Sequence, residues 1–259
     1  MRKVQLTLIQ IDNYGPWTVA PKPKPEVEIQ RLQAELFAEL EAEFGSRGGL
    51  AFITRFDNFL AISNGISLEG HREIQGAVNE KFPVSVSMGI GAAQLPYEAQ
   101  VLATLALQGE GSSRSAERKS KLAGSCVTSP DEDWVQIAHM DVNHSSIITD
   151  SEPIYDTHLL LQRTHLSLMN SLHRRNALVF YTGGDNFMAP SNGLGAEEIE
   201  AVFSEVKRES GVELKAGVGS GQNAEVAARL ASKGLHEIRE GKVPGHIVFK
   251  RSQDKKRLR

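Results

Sequence analysis

The chain carries the same β-hairpin twice, and each copy turns over on Asp-Asn. LAFITRFDNFLAI occupies residues 50–62 and LVFYTGGDNFMAP occupies 178–190. Thr54 and Thr182 lie 128 positions apart, about half of a 259-residue chain. Solenoid repeats run to about 20–50 residues, so a period of this length marks a duplicated domain. Whatever fold the chain adopts must be one that half of it can build and the other half can copy. Each copy also sets a carboxylate, Asp57 or Asp185, where two strands turn over, a place at which loops meet ligands.

The match extends to both sides of the hairpin. LTLIQIDN at 6–13 answers VQIAHMDVN at 135–143, pairing Asp12 with Asp141 at an offset of 129. VSVSMGIG at 84–91 answers VELKAGVG at 212–219, again at 128. Residues 4–11 run apolar as a strand should. Val27, Ile29, Leu32, Leu36, Leu40 and Phe44 fall at helical spacing, and Gly45, Gly48 and Gly49 stop that helix. The hairpin, a helix over 67–82 and a strand over 84–91 follow. The second half repeats the order with a helix near 154–175, the hairpin, a helix over 196–210 and a strand over 212–219. This βαββαβ order is the ferredoxin-like unit. A further helix follows each unit, near 97–108 and 223–239, with Asn223 as N-cap of the second and a last strand near 246–250. The expected class is α+β: two tandem ferredoxin-like domains, each an antiparallel sheet covered by helices, over 1–110 and 133–259, joined by a Gly-, Ser- and charge-rich linker over 111–132.

At 40% hydrophobic and 24% charged the composition is that of an ordinary globular protein, long enough for two cores. No apolar run reaches the roughly 18–20 residues of a membrane span, and Gln5, Thr7, Gln10 and Asp12 break up the start as a leader. The cytoplasm is the expected location. A single cysteine, Cys126, excludes an internal disulfide and a multi-thiolate metal site. A net charge of −3 argues against a nucleic acid polymer as partner, and nothing suggests a membrane one. The basic stretch from Lys250 to Arg259 reads as a solvated end, and Ser112 to Lys121 as a segment able to cover a ligand.

The carboxylates carry the functional reading. In a ferredoxin-like sheet the first strand is central and neighbours the hairpin. Asp12 should therefore converge on Asp57, and Asp141 on Asp185. Asp-Asn is also ordinary turn chemistry. Four acids at matched places favour a hard cation over that reading, and paired carboxylates suit Mg²⁺ or Mn²⁺ better than Zn²⁺. Gly183 and Gly184 let a backbone approach a ligand, or simply make the turn. At the same places the first copy has Arg55 and Phe56, and Arg55 is suited to a phosphate or to a surface ion pair. The run Asn13-Tyr14-Gly15-Pro16-Trp17 can turn its amides toward a triphosphate. Tyr14 and Trp17 can stack on a base or pack against the hairpin. Gly89-Ile-Gly91 and Gly217-Val-Gly219 complete no dinucleotide fingerprint, and close strand–helix packing accounts for them. Of the eight histidines, His139, His144, His158, His165 and His173 lie in the second half near Asp141. His144 is the candidate base or ligand, a structural role being the commoner one for a lone histidine. There is no His-Glu-x-x-His, no Gly-x-Ser-x-Gly and no Gly-Lys-Ser/Thr phosphate loop.

An acid at the end of strand one and Gly-Gly-Asp at a hairpin resemble the palm-type fold of nucleotidyl cyclases, GGDEF-type diguanylate cyclases and polymerase palms. Asn186 stands where GGDEF enzymes carry a metal-binding Glu, which counts against cyclic dinucleotide synthesis. Across both halves, IQIDNYGPW, TRFDN, VSMGIG and GGDNFM resemble the GTP cyclohydrolase III family. That resemblance implies a hydrolase that opens the imidazole ring of GTP, keeps the formyl group and releases two phosphates. The product is a formylaminopyrimidine ribonucleotide, an early intermediate of archaeal riboflavin and deazaflavin synthesis. It implies Mg²⁺, with two ions expected, K⁺ as activator and a homo-oligomer. On this reading Asp12, Asp57, Asp141 and Asp185 hold metal and His144 is a weak candidate base. Asn13, Asn58 or Asn186 read guanine, and the first half is favoured for the phosphates. A GTP- or dinucleotide-binding sensor without turnover, or a nucleotidyl cyclase, are the alternatives.

Overall fold

The computed structural model describes residues 2–143 and 150–252. The chain divides into two compact units, Met1–Asp133 and Trp134–Arg259. In the first unit the elements are β1 (Val4–Ile11), α1 (Tyr14–Val19), α2 (Glu26–Ser46), β2 (Leu50–Arg55), β3 (Asn58–Ile62), α3 (Leu68–Lys81), β4 (Val86–Ala93), α4 (Pro96–Gly109) and β5 (Leu122–Gly124). The sheet runs β2-β3-β1-β4-β5, with β1 central and antiparallel to both neighbours. In the second unit they are β6 (Val135–Val142), α5 (Ile154–His173), β7 (Phe180–Gly183), β8 (Asn186–Pro190), α6 (Ala196–Ser210), β9 (Leu214–Gly221), α7 (Ala224–Arg239) and β10 (Ile247–Arg251). Its sheet runs β10-β9-β6-β8-β7.

The sheets are mixed rather than purely antiparallel. β5 pairs parallel with β4, and β10 pairs parallel with β9. The cause is the crossover: a strand that follows a helix packed across the sheet returns in the direction of the strand before that helix. The 111–132 segment is accordingly no free linker, since it supplies β5 to the first sheet and falls within the first compact unit.

One face of each sheet carries the main core. In α2, Leu32, Leu36, Leu40 and Phe44 recur every fourth residue and are buried against Ile9, Ile11 and Phe59. Each such side chain contributes about 1.5–3 kcal/mol on leaving water. In the second unit Leu168 and Leu172 of α5 and Ile199, Val202 and Val206 of α6 pack on Met140 and Phe187 in the same way. The opposite face takes α4 or α7 at short range. A Cβ on Gly89 would lie 2.1 Å from the Ala103 carbonyl oxygen, and one on Gly217 would lie 1.9 Å from that of Ala231. The glycine pairs in β4 and β9 thus serve close helix–sheet packing. Ser67 and Asn223 cap α3 and α7 through side-chain oxygens that accept from Gly70 N and Val226 N. Among the described residues no helix is long and apolar enough to cross a membrane.

Superposing the hydrogen-bond ladders corrects one sequence match. Ile11 N donates to Asp57 O (3.1 Å) as Val142 N donates to Asp185 O (3.3 Å). Asp12 N donates to Ser85 O (2.9 Å) as Asn143 N donates to Glu213 O (2.8 Å). The hairpins and β4/β9 correspond at 128, but β1 corresponds to β6 at 131, not 129. Asp141 therefore stands in the place of Gln10, and the counterpart of Asp12 is Asn143. A slip of two leaves every side chain on its own face, so the alternation of apolar residues does not reveal it.

Candidate active site

In the first unit Asp12 follows the last residue of β1 and is buried. Its carboxylate accepts from Ser85 Oγ (2.8 Å), Ser87 Oγ (2.6 Å), Ser120 N (2.9 Å) and Arg118 Nε (3.3 Å). A carboxylate offers about four acceptor sites, so this one is filled. Arg118 also donates to Gln10 Oε1 (2.6 Å) and to the Gly111 carbonyl, and both members of the ion pair are 3% exposed in their side chains. The segment expected to cover a ligand is pinned onto Asp12 instead. Asp57 is held separately: Arg55 clamps it with Nε–Oδ1 at 3.0 Å and Nη2–Oδ2 at 2.6 Å. Burial pushes the Asp57 carboxyl up, but hydrogen bonds from Arg55 and Asn58 outweigh it and hold the group below its ordinary value. Arg55 is thus an ion-pair partner here, and Asn58 Oδ1 accepts from Gln10 Nε2 (2.9 Å).

The Asn13–Trp17 run is a short helix rather than a loop, entered through Asn13 at φ 51°. Asn13 N donates to Ser113 O (2.7 Å). Tyr14 and Trp17 stack at 6.1 Å between centroids and pack on the first unit's core, so packing is what the structure gives them. Gln33 Nε2 donates to the Tyr14 hydroxyl (2.6 Å), and Lys24 Nζ sits 4.6 Å from the Trp17 ring centroid. Gly15 lies inside this helix with no atom near its would-be Cβ.

The second unit differs at the same edge. Because Asp141 takes the place of Gln10, it lies directly across the ladder from Asn186. Its carboxyl meets that of Asp185. Arg239 Nε donates to Asp141 Oδ2 (2.8 Å), Arg239 Nη2 donates to the same oxygen, and Lys215 Nζ lies 3.2 Å from it. The other oxygen, Oδ1, is buried and has no hydrogen-bond partner among the described residues. Burial, reinforced by Asp185, pushes the Asp141 carboxyl up against the pull of Arg239 and Lys215. Gly183, at φ 104°, and Gly184, at φ 59°, replace Arg55 and Phe56. Nothing lies within 4 Å of a Cβ built on Gly183, so the glycine serves backbone conformation, not space. Losing Arg55's counterpart also removes the guanidinium that clamps Asp57 in the first hairpin.

His139, on β6, is tied at both nitrogens: Nδ1 to Ser232 Oγ and Nε2 to Asn186 Oδ1, each at 3.1 Å. Burial lowers its pKa despite the Asn186 bond, and Arg239 adds to the lowering. His158 and His165 lie on α5, the latter against Tyr181 and Phe187. His173 ends that helix, and His144 lies outside the described residues.

Of the four aspartates, then, the structure brings together Asp141 and Asp185. Among the described residues no group of three or more His, Cys, Asp or Glu side chains could hold a metal ion. The donor set of the second edge nonetheless fits a hard cation: two carboxylates in contact, one oxygen buried and unpartnered. The first edge does not fit one, since Asp12 is saturated by protein donors. The sequence gives Arg239 and Lys215 no functional reading, and Arg118 one only as part of the Ser112–Lys121 segment.

The architecture is a pair of βαββαβ units, the ferredoxin-like class the sequence pointed to, with an acid pair at one hairpin edge. Residues 4–252 match the family model described as GTP cyclohydrolase III. Proteins of that name from Methanobrevibacter smithii and Methanothermobacter thermautotrophicus are 50% and 49% identical, covering 92% of this chain and 94% and 95% of their own. The Methanocaldococcus jannaschii protein of that name is 47% identical over 97% of this chain and 93% of its own. The chain belongs to the GTP cyclohydrolase III family, a family of enzymes. Among solved structures, the GGEEF domain of a Vibrio cholerae diguanylate cyclase is 12% identical with a TM-score of 0.38, covering 47% of this chain and 85% of that one.

Proposed function

We propose that this protein hydrolyses GTP at the imidazole ring, leaving the formyl group on a formylaminopyrimidine ribonucleotide monophosphate and releasing two phosphates. The carrying observation is the near-50% identity, over almost the whole chain, to proteins named GTP cyclohydrolase III. The chemistry is assigned to the second hairpin edge, not to the first unit that the sequence favoured for the phosphates. Asp141 and Asp185 would hold Mg²⁺, with K⁺ as an activator. A divalent ion bound there offsets the charge of the phosphates and lowers the pKa of a bound water. Arg239 and Lys215 compensate Asp141 through its Oδ2, leaving Oδ1 for the cation. The hairpin amides Asn58 and Asn186 are engaged by Gln10 and by Asp185 and His139, which leaves guanine recognition to other groups, Asn13 among them.

The test is incubation with GTP and Mg²⁺ followed by ultraviolet spectroscopy and phosphate analysis. Loss of the purine absorption with two phosphates per GTP is the expected result. An unchanged spectrum with GTP bound would replace this reading with a sensor. A cyclic product with pyrophosphate would replace it with a cyclase.

A further inference from the structure

The second hairpin contains a chain of hydrogen bonds that the first lacks. Arg239 can only donate, and its Nη2 lies 3.5 Å from Asn186 Oδ1, which fixes that atom as the amide oxygen. Asn186 Nδ2 then faces the preceding carboxylate and donates to Asp185 Oδ1 at 2.8 Å. An amide oxygen cannot donate, so His139 Nε2, 3.1 Å from it, must carry the proton. The other nitrogen, Nδ1, meets Ser232 Oγ on α7 at 3.1 Å. The chain runs from α7 through β6 to the hairpin and ends on one member of the acid pair. In the first unit the place of His139 is held by Leu8, and Asn58 is instead oriented by Gln10 from the position that Asp141 occupies. Putting an acid in Gln10's place gives up the donor that orients the hairpin Asn, and His139 restores it from two residues upstream.

From this we infer that His139 is a positioning residue: it fixes the amide of Asn186 so that Asn186 presents the Asp185 carboxylate to a divalent cation shared with Asp141. The inference rests on the assignment of the cation to this edge. It gives Asn186, which stands where a related fold carries a metal-binding Glu, a purpose other than ligation. Groups that orient metal ligands typically change affinity by 10–100-fold when removed.

The experiment titrates the full chain with Mn²⁺ alone, following free ion by electron paramagnetic resonance, and reads the His139 tautomer by long-range ¹H–¹⁵N NMR without metal. Parent protein should bind Mn²⁺, and Asp141→Asn should not. His139→Leu, which installs the residue of the first unit, should weaken binding by about tenfold or more. His139→Gln, which keeps an N–H donor, should stay within about threefold of the parent, well short of that range. The metal-free spectrum should show the proton on Nε2. A folded His139→Leu variant that binds Mn²⁺ like the parent would overturn the inference, as would a proton on Nδ1 alone. No Mn²⁺ binding by the parent, with the Nε2 tautomer intact, would overturn the cation assignment while leaving the hydrogen-bond chain in place.

Discussion

The two hairpins share a backbone ladder and differ in where the neighbouring strand sets its acid. In the first, Asp12 lies just past the strand, and each acid has its own arginine: Arg118 for Asp12, Arg55 for Asp57. In the second, Asp141 lies two places earlier and touches Asp185, while Gly183 stands where Arg55 would be. Two residues along a strand are worth about 6.6–6.8 Å. That shift separates an edge whose carboxylates are satisfied internally from one whose carboxylates crowd each other. One edge is thus neutralised by protein, while the other keeps a buried carboxylate oxygen with no hydrogen-bond partner among the described residues.

The largest difference between the two edges is expected at Arg118. Removing one partner of a buried ion pair costs about 3–5 kcal/mol, so Arg118→Ala should lower urea stability by that order. Arg239→Ala should cost less, because its side chain is 43% exposed and Lys215 also serves Asp141. Equal losses in denaturation curves would mean that the two edges are not differently built. Next comes turnover. Asp185→Asn should reduce GTP hydrolysis about 100-fold, the scale of losing a transition-state charge contact. Asp57→Asn should stay within about threefold, well short of that scale. A matching collapse for Asp57→Asn in steady-state assays would move the chemistry to both edges. The smallest effect is at Arg55. This exposed pair contributes about 0.2–1 kcal/mol. Asp57 is held below its ordinary 3.8 when folded, so its contribution is present above that pH and fades as pH falls through the folded value. Arg55→Gly and parent should therefore differ slightly in urea midpoint at neutral pH and converge in acid.

Much of the fold was legible. The helix of α2 announced itself through Leu32, Leu36, Leu40 and Phe44, and the glycine pairs of β4 and β9 announced close packing. The site was less so, for physical reasons. Matching Asp12 to Asp141 is natural by identity, yet ladder register is set by hydrogen bonds, and a slip of two preserves every face. Arg118 lies among Gly, Ser and charged residues, a composition that signals solvent, yet it is 4% exposed because a carboxylate 106 positions away needs it. Arg239 reaches Asp141 across 98 positions from the last turn of a helix, where a basic residue already has a local reason to be. Pairings this distant leave no local pattern in a single sequence.

The bare strand under α7 has a remote effect on the acid pair. Gly217 and Gly219 let the carbonyls of Ala231 and Ala227 come within about a bond and a half of where a methyl would sit, 1.9 and 2.0 Å. One added carbon would act as a shim, lifting the helix that carries both Ser232 and Arg239. The acids could then lose their counterweights through a substitution that touches neither of them.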